Sequence, residues 1–170
     1  GRLYFCGFKA VAEMEIDDRY YFIAQKVKTP SQNPNPTYGP LVLLKRSGVH
    51  NRPITVYKFR TMHPYSEYLQ NYIYEKNLLD EGGKFKNDFR VTEWGRIMRR
   101  LWLDELPMLY NWFKGDLQLV GVRPLSGQYL SLYTEELREL RAQVKPGLIP
   151  PYYADLPKTL DEIMASEKRY

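Results

Sequence analysis

Two short β-prone runs in the N-terminal half of the chain constrain its fold most strongly. Residues 41–45 and 54–59 are rich in residues that favour strands. The polar stretch between them, residues 47–53, contains the turn residues Gly48 and Pro53. Two such runs separated by turn residues predict a β-hairpin with a long loop. The rest of the chain is expected to pack around this hairpin.

A third β-prone run, residues 20–27, is followed by a segment rich in Pro, Asn and Ser at positions 29–37. This pattern predicts a strand followed by a linker, so we interpret residues 1–37 as an N-terminal extension. Its strand is expected either to pair with the edge of the main domain or to bind a partner. The main domain is predicted at residues 38–152, with a C-terminal tail at 153–170.

Helical spacing appears after Pro64. Residues 65–79 predict an amphipathic helix that ends at Gly82 and Gly83, and Thr92 is a candidate N-cap for a second helix. Further helices are predicted at residues 104–113 and 128–144, with a short strand at 117–120. The predicted fold class is α+β, with short helices, several of them amphipathic, around a small β-hairpin. The apolar stripe of the second helix is expected to pack in the core or at a membrane surface, and it consists of Trp94, Ile97, Met98 and Leu101.

Composition limits the possible functions. The 170-residue chain is long enough for one domain with a real core, and its net charge of +5 favours an anionic partner. It contains no apolar run of about 18 residues, so no transmembrane span is predicted. Cys6 is its one cysteine, which excludes an internal disulfide framework and a cysteine-based zinc site.

The segment at residues 102–107 carries two adjacent carboxylates, Asp104 and Glu105. Isolated acids of this kind are most often a solvated helix start. Here they lie between an arginine-rich stretch and Arg123, and guanidinium groups bind phosphate oxygens through paired hydrogen bonds. The setting therefore favours phosphate chemistry with a carboxylate at its centre.

Six motifs occur in an order and spacing that strongly resembles the bacterial sugar transferase family. These are the monotopic polyprenyl-phosphate phosphoglycosyl transferases. The motifs are YGP (38–40), KFRTM (58–62), DFRVT (88–92) with Gly95, LDELP (103–107), VGVRPL (120–125) and KPG (145–147).

The resemblance implies an enzyme that begins glycoconjugate assembly, such as exopolysaccharide, capsule or O-antigen. Such an enzyme moves a sugar 1-phosphate from a nucleotide sugar, commonly a uridine diphosphate sugar, onto a polyprenyl phosphate. By resemblance, Asp104 is the nucleophile that carries the phosphosugar, and Glu105 helps to hold Mg²⁺. The expected location is the cytoplasmic face of the bacterial inner membrane, in contact with the membrane surface. The cations expected around the substrate phosphates are Lys58, Arg60, Arg90, Arg99, Arg123 and Lys145.

The chain also departs from the family pattern. Val122 stands where a proline is common, Trp102 where a serine is usual, and Met108 where a glutamine is usual. Before Gly39, where the family normally carries an apolar re-entrant membrane helix, the sequence reads NPNPT (33–37). We expect either a divergent branch that is anchored elsewhere or a chain that lacks the membrane part.

Two other classes of function compete with the enzyme hypothesis. The chain could be a non-catalytic scaffold or regulatory homologue that lacks the lipid site, an interpretation that the segment before Gly39 favours and the intact acidic pair disfavours. A basic nucleic-acid-binding module would follow from charge and aromatic content alone. Without a metal, Asp104 and Glu105 would repel a phosphate backbone, so nucleic acid is not an expected partner.

Overall fold

The computed structural model describes residues 1–33, 38–77 and 88–170. The α-helices are α1 (Arg2–Phe5), α2 (Gln70–Asn77), α3 (Glu93–Arg100), α4 (Met108–Lys114), α5 (Gly127–Leu130), α6 (Glu135–Gln143) and α7 (Leu160–Arg169). The strands are β1 (Phe8–Ile16), β2 (Arg19–Lys26), β3 (Leu41–Ser47), β4 (Pro53–Phe59), β5 (Gln118–Val120) and β6 (Gly147–Ile149). The 3₁₀ turns are Val49–Asn51, Ser66–Leu69, Leu103–Glu105 and Pro151–Tyr153. These short elements confirm the α+β class.

The hairpin predicted at residues 41–59 is confirmed. Strands β3 and β4 pair antiparallel, with Leu44 opposite Val56 and Arg46 opposite Ile54. Val56 is buried against Met108 and Leu117, while Leu44, Ile54 and Leu148 pack around that cluster. One face of the hairpin therefore forms part of the core, and β5 and β6 pair parallel beside it.

The N-terminal extension contains a second hairpin rather than a single strand. Strand β2 pairs antiparallel with β1, which the sequence did not predict, and not with an edge of the main domain. Asp17 and Asp18 both have positive φ between the paired residues Ile16 and Arg19. A two-residue turn with this backbone matches the right-handed twist of the strands and brings them together directly.

Two predicted helices are each interrupted. The helix expected at 104–113 begins only at Met108, because Pro107 has no N–H to donate and the preceding residues form a 3₁₀ turn instead. The helix expected at 128–144 divides into α5 and α6, because Thr134 has extended backbone and caps α6 through the N–H of Leu137. Residues 34–37 of the predicted linker and the predicted stop at Gly82 and Gly83 lie outside the described residues.

Helix α3 confirms the predicted Thr92 cap, whose hydroxyl accepts a hydrogen bond from Gly95 N. The helix lies so close to the chain at Thr61 that a Cβ at Gly95 would stand 2.0 Å from the Thr61 carbonyl oxygen. Its apolar stripe is not core: Trp94 is 72% exposed, and Ile97 is also exposed. This face of α3 points to the outside of the protein.

A second cluster of buried residues, Leu125, Tyr133 and Leu137, joins α5, α6 and α7. Helix α7 lies within residues 153–170 and packs on this cluster through Leu160 and Met164. Within the described part of the chain, no helix combines the length and the apolar character needed to cross a membrane.

Candidate active site

The acidic pair lies in the 3₁₀ turn that follows α3. Trp102 turns the chain with a left-handed backbone, φ 57°, which is uncommon for a residue that is not glycine. Its ring stacks on Tyr153 with the centroids 4.8 Å apart. This turn leaves Asp104 only 8% exposed, whereas the neighbouring Leu103 and Leu106 point outward.

Glu105 accepts hydrogen bonds from two cations at one carboxylate oxygen. Its Oε1 lies 2.5 Å from Lys58 Nζ and 2.6 Å from Arg123 Nη2. Burial alone would raise the pKa of Glu105, but the charges and hydrogen bonds of Arg123 and Lys58 outweigh it and hold the pKa below its usual value. Glu105 is therefore ionised at neutral pH.

For Lys58, burial outweighs the ion pair, so its charged form is disfavoured. Burial, and then the positive charge of Arg123, lower its pKa, and its ion pair with Glu105 only partly opposes them. Burial also lowers the pKa of Arg99, against the negative charge of Asp104. Asp104 lines the same cleft as Lys58 and Arg99, and its negative charge opposes the lowering of both pKa values.

Arg123 is held by its side chain and by its backbone. Its Nη1 donates to the Tyr153 hydroxyl at 2.6 Å, while its carbonyl oxygen accepts a hydrogen bond from Arg141. Arg141 is itself buried and pairs with Glu167 of α7. Helices α6 and α7 therefore determine where the Arg123 guanidinium meets Glu105.

A cleft of about 870 Å³ joins most of the predicted site residues. The predicted residues that line it are Lys58, Arg60, Arg90, Arg99, Asp104, Glu105 and Arg123. Lys145 does not line this cleft and is exposed before β6. Residues that are far apart in the sequence thus meet around the acidic pair.

The arginines of the cleft differ in how much of their hydrogen-bonding capacity is in use. Arg90 is buried, with Nε and Nη2 on the carboxylate of Asp88 and Nη1 on Gln70, so a phosphate would have to displace these partners. Arg99 donates from Nε to Thr61 Oγ1 at 2.9 Å. Arg60 donates from Nε to the Gly39 carbonyl at 2.8 Å.

Sequence reasoning missed Arg46, Thr61 and Tyr153, all of which line the cleft. Burial, and then the like charge of Arg123, lower the pKa of Arg46. Arg46 lies two residues after Leu44 on β3 and therefore on the same inward face, so strand alternation could have identified it as a charge in an apolar row. Thr61 and Tyr153 act through Arg99 and Arg123. The KFRTM motif contains Thr61 and could have identified it, whereas we find no sequence signal for Tyr153.

In the ranges that the structure describes, no three His, Cys, Asp or Glu side chains form a group that could hold a metal ion by itself. The acidic pair offers two carboxylates. Mg²⁺ is commonly held by one or two carboxylates together with substrate phosphates, so these donors fit a metal that arrives with its substrate.

The sequence matches the family model for bacterial sugar transferase over residues 22–163. It is 44% identical over 103 residues to a Bacillus subtilis (strain 168) protein named "uncharacterized sugar transferase EpsL", covering 61% of this chain and 45% of that protein. It is 38% identical over 109 residues to the undecaprenyl-phosphate galactose phosphotransferase of Salmonella typhimurium, covering 61% of this chain and 23% of that protein. It is 33% identical over 133 residues to a Klebsiella pneumoniae protein named UDP-glucose:undecaprenyl-phosphate glucose-1-phosphate transferase, covering 74% of this chain and 24% of that protein.

These matches span less than half the length of the relatives. The family match nevertheless covers most of this chain, including both hairpin strands β3 and β4, the acidic pair and Arg123. On this match, the chain belongs to the bacterial sugar transferase family.

Proposed function

We propose that this chain transfers a sugar 1-phosphate from a uridine diphosphate sugar to a polyprenyl phosphate through a covalent intermediate on Asp104. The observation that carries the proposal is the burial of Asp104 in the wall of a cationic cleft, beside a Glu105 that Lys58 and Arg123 hold. The names of the relatives support the donor and acceptor classes. We further propose that the reaction begins the assembly of a glycoconjugate.

In the first step, an Asp104 carboxylate oxygen attacks the β-phosphorus of the donor. The new Oδ–P bond forms as the bond from that phosphorus to the bridging oxygen breaks, and the electron pair leaves with the nucleoside monophosphate. A carboxylate needs no base to activate it at neutral pH. Asp104 then carries the sugar 1-phosphate as an acyl phosphate.

In the second step, a phosphate oxygen of the polyprenyl phosphate attacks the same phosphorus. The bond to Asp104 breaks, its electron pair returns to the carboxylate, and the product is a polyprenyl diphosphate sugar. Both transfers spread negative charge over the phosphoryl oxygens, which Arg99, Lys58 and Arg123 are placed to neutralise.

Glu105, together with Asp104, would supply the carboxylate oxygens for Mg²⁺, which when bound neutralises charge on the diphosphate of the donor. Lys58 and Arg123 support this role because they keep Glu105 ionised. They also fix the direction of its carboxylate, since both contact Oε1.

We propose that the protein works at the cytoplasmic surface of the bacterial inner membrane, where a polyprenyl phosphate acceptor resides. The support is a set of exposed apolar side chains on α3 and α4. Phe113 is 79% exposed, and Trp94, Ile97 and Leu109 are exposed as well. Amphipathic surfaces with aromatic residues bind the boundary between headgroups and acyl chains.

The test is intact-protein mass spectrometry after incubation with Mg²⁺ and each of several uridine diphosphate sugars. We expect a sugar-phosphate adduct on the parent chain and none on Asp104→Asn. The matched control is Asp17→Asn, because Asp17 lies in an exposed turn whose positive φ asparagine also accepts.

An adduct that persists in Asp104→Asn would exclude Asp104 as the nucleophile. If the parent, reconstituted with membrane lipid, forms no adduct and releases no nucleoside monophosphate with any donor, the covalent mechanism fails. That result would favour the non-catalytic homologue.

A further inference from the structure

A second cavity, of about 460 Å³, opens beside the acidic pair. Its volume is within the range of small-molecule sites, roughly 300–1,000 Å³. It shares Lys58, Glu105 and Arg123 with the larger cleft, together with Arg46 and Tyr153. From this common wall it extends away from Asp104 toward α5 and α7.

The part of this cavity that lies beyond the common wall has a different chemistry from the cleft. Its polar lining there consists of Ser126, Tyr129, Tyr133, Tyr152 and Glu167. Leucines 125, 148 and 156 supply apolar surface. Tyrosine combines an apolar ring face with a hydroxyl that can donate or accept a hydrogen bond. Such a lining suits a ligand that has both C–H surface and hydroxyl groups.

Glu167 lies at this end of the cavity, where burial raises the pKa of its carboxyl and the charge of Arg141 opposes that rise. It is 5% exposed, and Arg141 holds its Oε2. Tyr133 also lies beside this carboxylate, and its hydrogen bond to Glu167 further opposes the rise in pKa. A neutral ligand with hydroxyl groups is compatible with this buried pair, whose balanced charges do not attract a phosphate.

The tyrosines keep their protons in this setting. Burial, followed by the charge of Glu167, raises the pKa of Tyr129, and burial also raises the pKa of Tyr152 to about 12. Both hydroxyls are therefore neutral at physiological pH. Beyond the common wall, the cleft is instead lined by the permanently charged side chains of Arg60 and Arg99.

We propose that the cavity bounded by Tyr129, Tyr152 and Glu167 receives the sugar of the nucleotide-sugar donor and discriminates among sugars. This inference rests on the proposed function, which puts the β-phosphate of the donor at Asp104. The sugar is bonded to that phosphate, so it must extend from the phosphate into a space beside Asp104. The common wall of Lys58, Glu105 and Arg123 borders both spaces, so the nucleotide lies in the cationic cleft while the sugar enters the second cavity.

The test compares how tightly UDP and UDP-sugars bind, in an Asp104→Asn background that prevents turnover. The variant Tyr129→Phe removes one hydroxyl and retains the ring. Its matched control is Tyr57→Phe, because Tyr57 is half-buried like Tyr129 but lines neither cavity. Isothermal titration with UDP, UDP-glucose, UDP-galactose and UDP-N-acetylgalactosamine gives each affinity.

We expect Tyr129→Phe to weaken the preferred UDP-sugar by roughly 5- to 100-fold, the range for one lost hydrogen bond that leaves a polar partner unpaired. Its affinity for UDP should change by less than about twofold, as should all affinities of the Tyr57→Phe control. The differences in affinity among the UDP-sugars should become smaller in Tyr129→Phe and stay unchanged in Tyr57→Phe.

Two results would overturn the inference. An equal loss for UDP and UDP-sugars would assign the cavity to the nucleotide, and unchanged sugar affinities would exclude Tyr129 from recognition. Failure of the proposed function shows separately, as the absence of an adduct on the parent chain in the mass-spectrometric experiment.

Discussion

Asn111 connects the helix behind the acidic pair to the central hairpin, and its removal tests how the site is held. It is 0% exposed on α4. Its Oδ1 accepts from Tyr57 N at 3.0 Å, and its Nδ2 donates to the Thr55 carbonyl at 2.7 Å. The carboxamide thus satisfies the free edge of β4 as the backbone of a neighbouring strand would.

The change Asn111→Ala leaves both backbone groups without this partner. An unpaired buried polar group costs about 1–3 kcal/mol, so two fully buried groups would cost about 2–6 kcal/mol. Thr55 and Tyr57 are only half-buried, and water replaces part of the loss. We therefore expect a decrease of about 2–3 kcal/mol in the free energy of unfolding, a large share of the ~5–15 kcal/mol typical of a domain.

Urea unfolding followed by tryptophan fluorescence measures this decrease as a shift of the midpoint at constant slope. The matched control is Asn71→Ala, because Asn71 is exposed on α2 and should change stability by less than about 0.5 kcal/mol. An Asn111→Ala variant as stable as that control would refute the reasoning. The apolar contacts of Met108 would then be sufficient to hold α4 against β4.

Three further predictions concern backbone approach, pH and a buried ion pair. Gly95→Ala should destabilise the chain in urea unfolding because its Cβ would meet a backbone oxygen at 2.0 Å, whereas Gly127→Ala, with open space around it, should not. The folded-state pKa of Glu105 is lowered, so the stabilisation that Glu105 provides is present above the unfolded value near 4.5 and is lost as the pH falls through the folded pKa. The urea midpoint of the parent chain should therefore fall with pH in this acid range, and the midpoint of Glu105→Gln should depend less on pH. Arg141→Met should cost about 3–5 kcal/mol in the same assay, because it leaves Glu167 buried and unpaired, and adding Glu167→Met should restore part of the loss.

The chemical groups of the site were more predictable than the elements that carry them. The motifs identified the acidic pair and the cations, and seven of the predicted side chains line one cleft. The helix expected at 104–113 was wrong at its start because Pro107 has no N–H to donate and residues 103–105 form a 3₁₀ turn instead. The family motifs identify which residue types occur at these positions, but they do not predict the backbone conformation of each residue.

Strand β1 shows why other elements could not be predicted. Its sequence, FKAVAEMEI, mixes alanine and glutamate with apolar residues and contains a bulge between Ala10 and Ala12, so its β-propensity is weak. Its pairing with β2 depends on the Asp17–Asp18 turn, whose positive φ values are a property of the hairpin as a whole. Arg46 differs from this case, because strand alternation in the sequence already puts it on the same face of β3 as Leu44.

The charges around the acidic pair are not balanced within the protein. Arg46, Lys58, Arg60, Arg99 and Arg123 line the cleft with Glu67, Asp104 and Glu105, and Arg90 is paired with Asp88, which leaves an excess of two positive charges. Burial makes this excess costly, and it lowers the pKa of Arg46 and of Lys58, with Arg123 adding to the effect as a like charge. Before Mg²⁺ binds, a nucleoside diphosphate sugar, with one negative charge on each of its phosphates, would balance that excess. The cationic cluster therefore weakens the empty fold and stabilises the bound one, so binding of the donor should raise the stability of the chain by mass action.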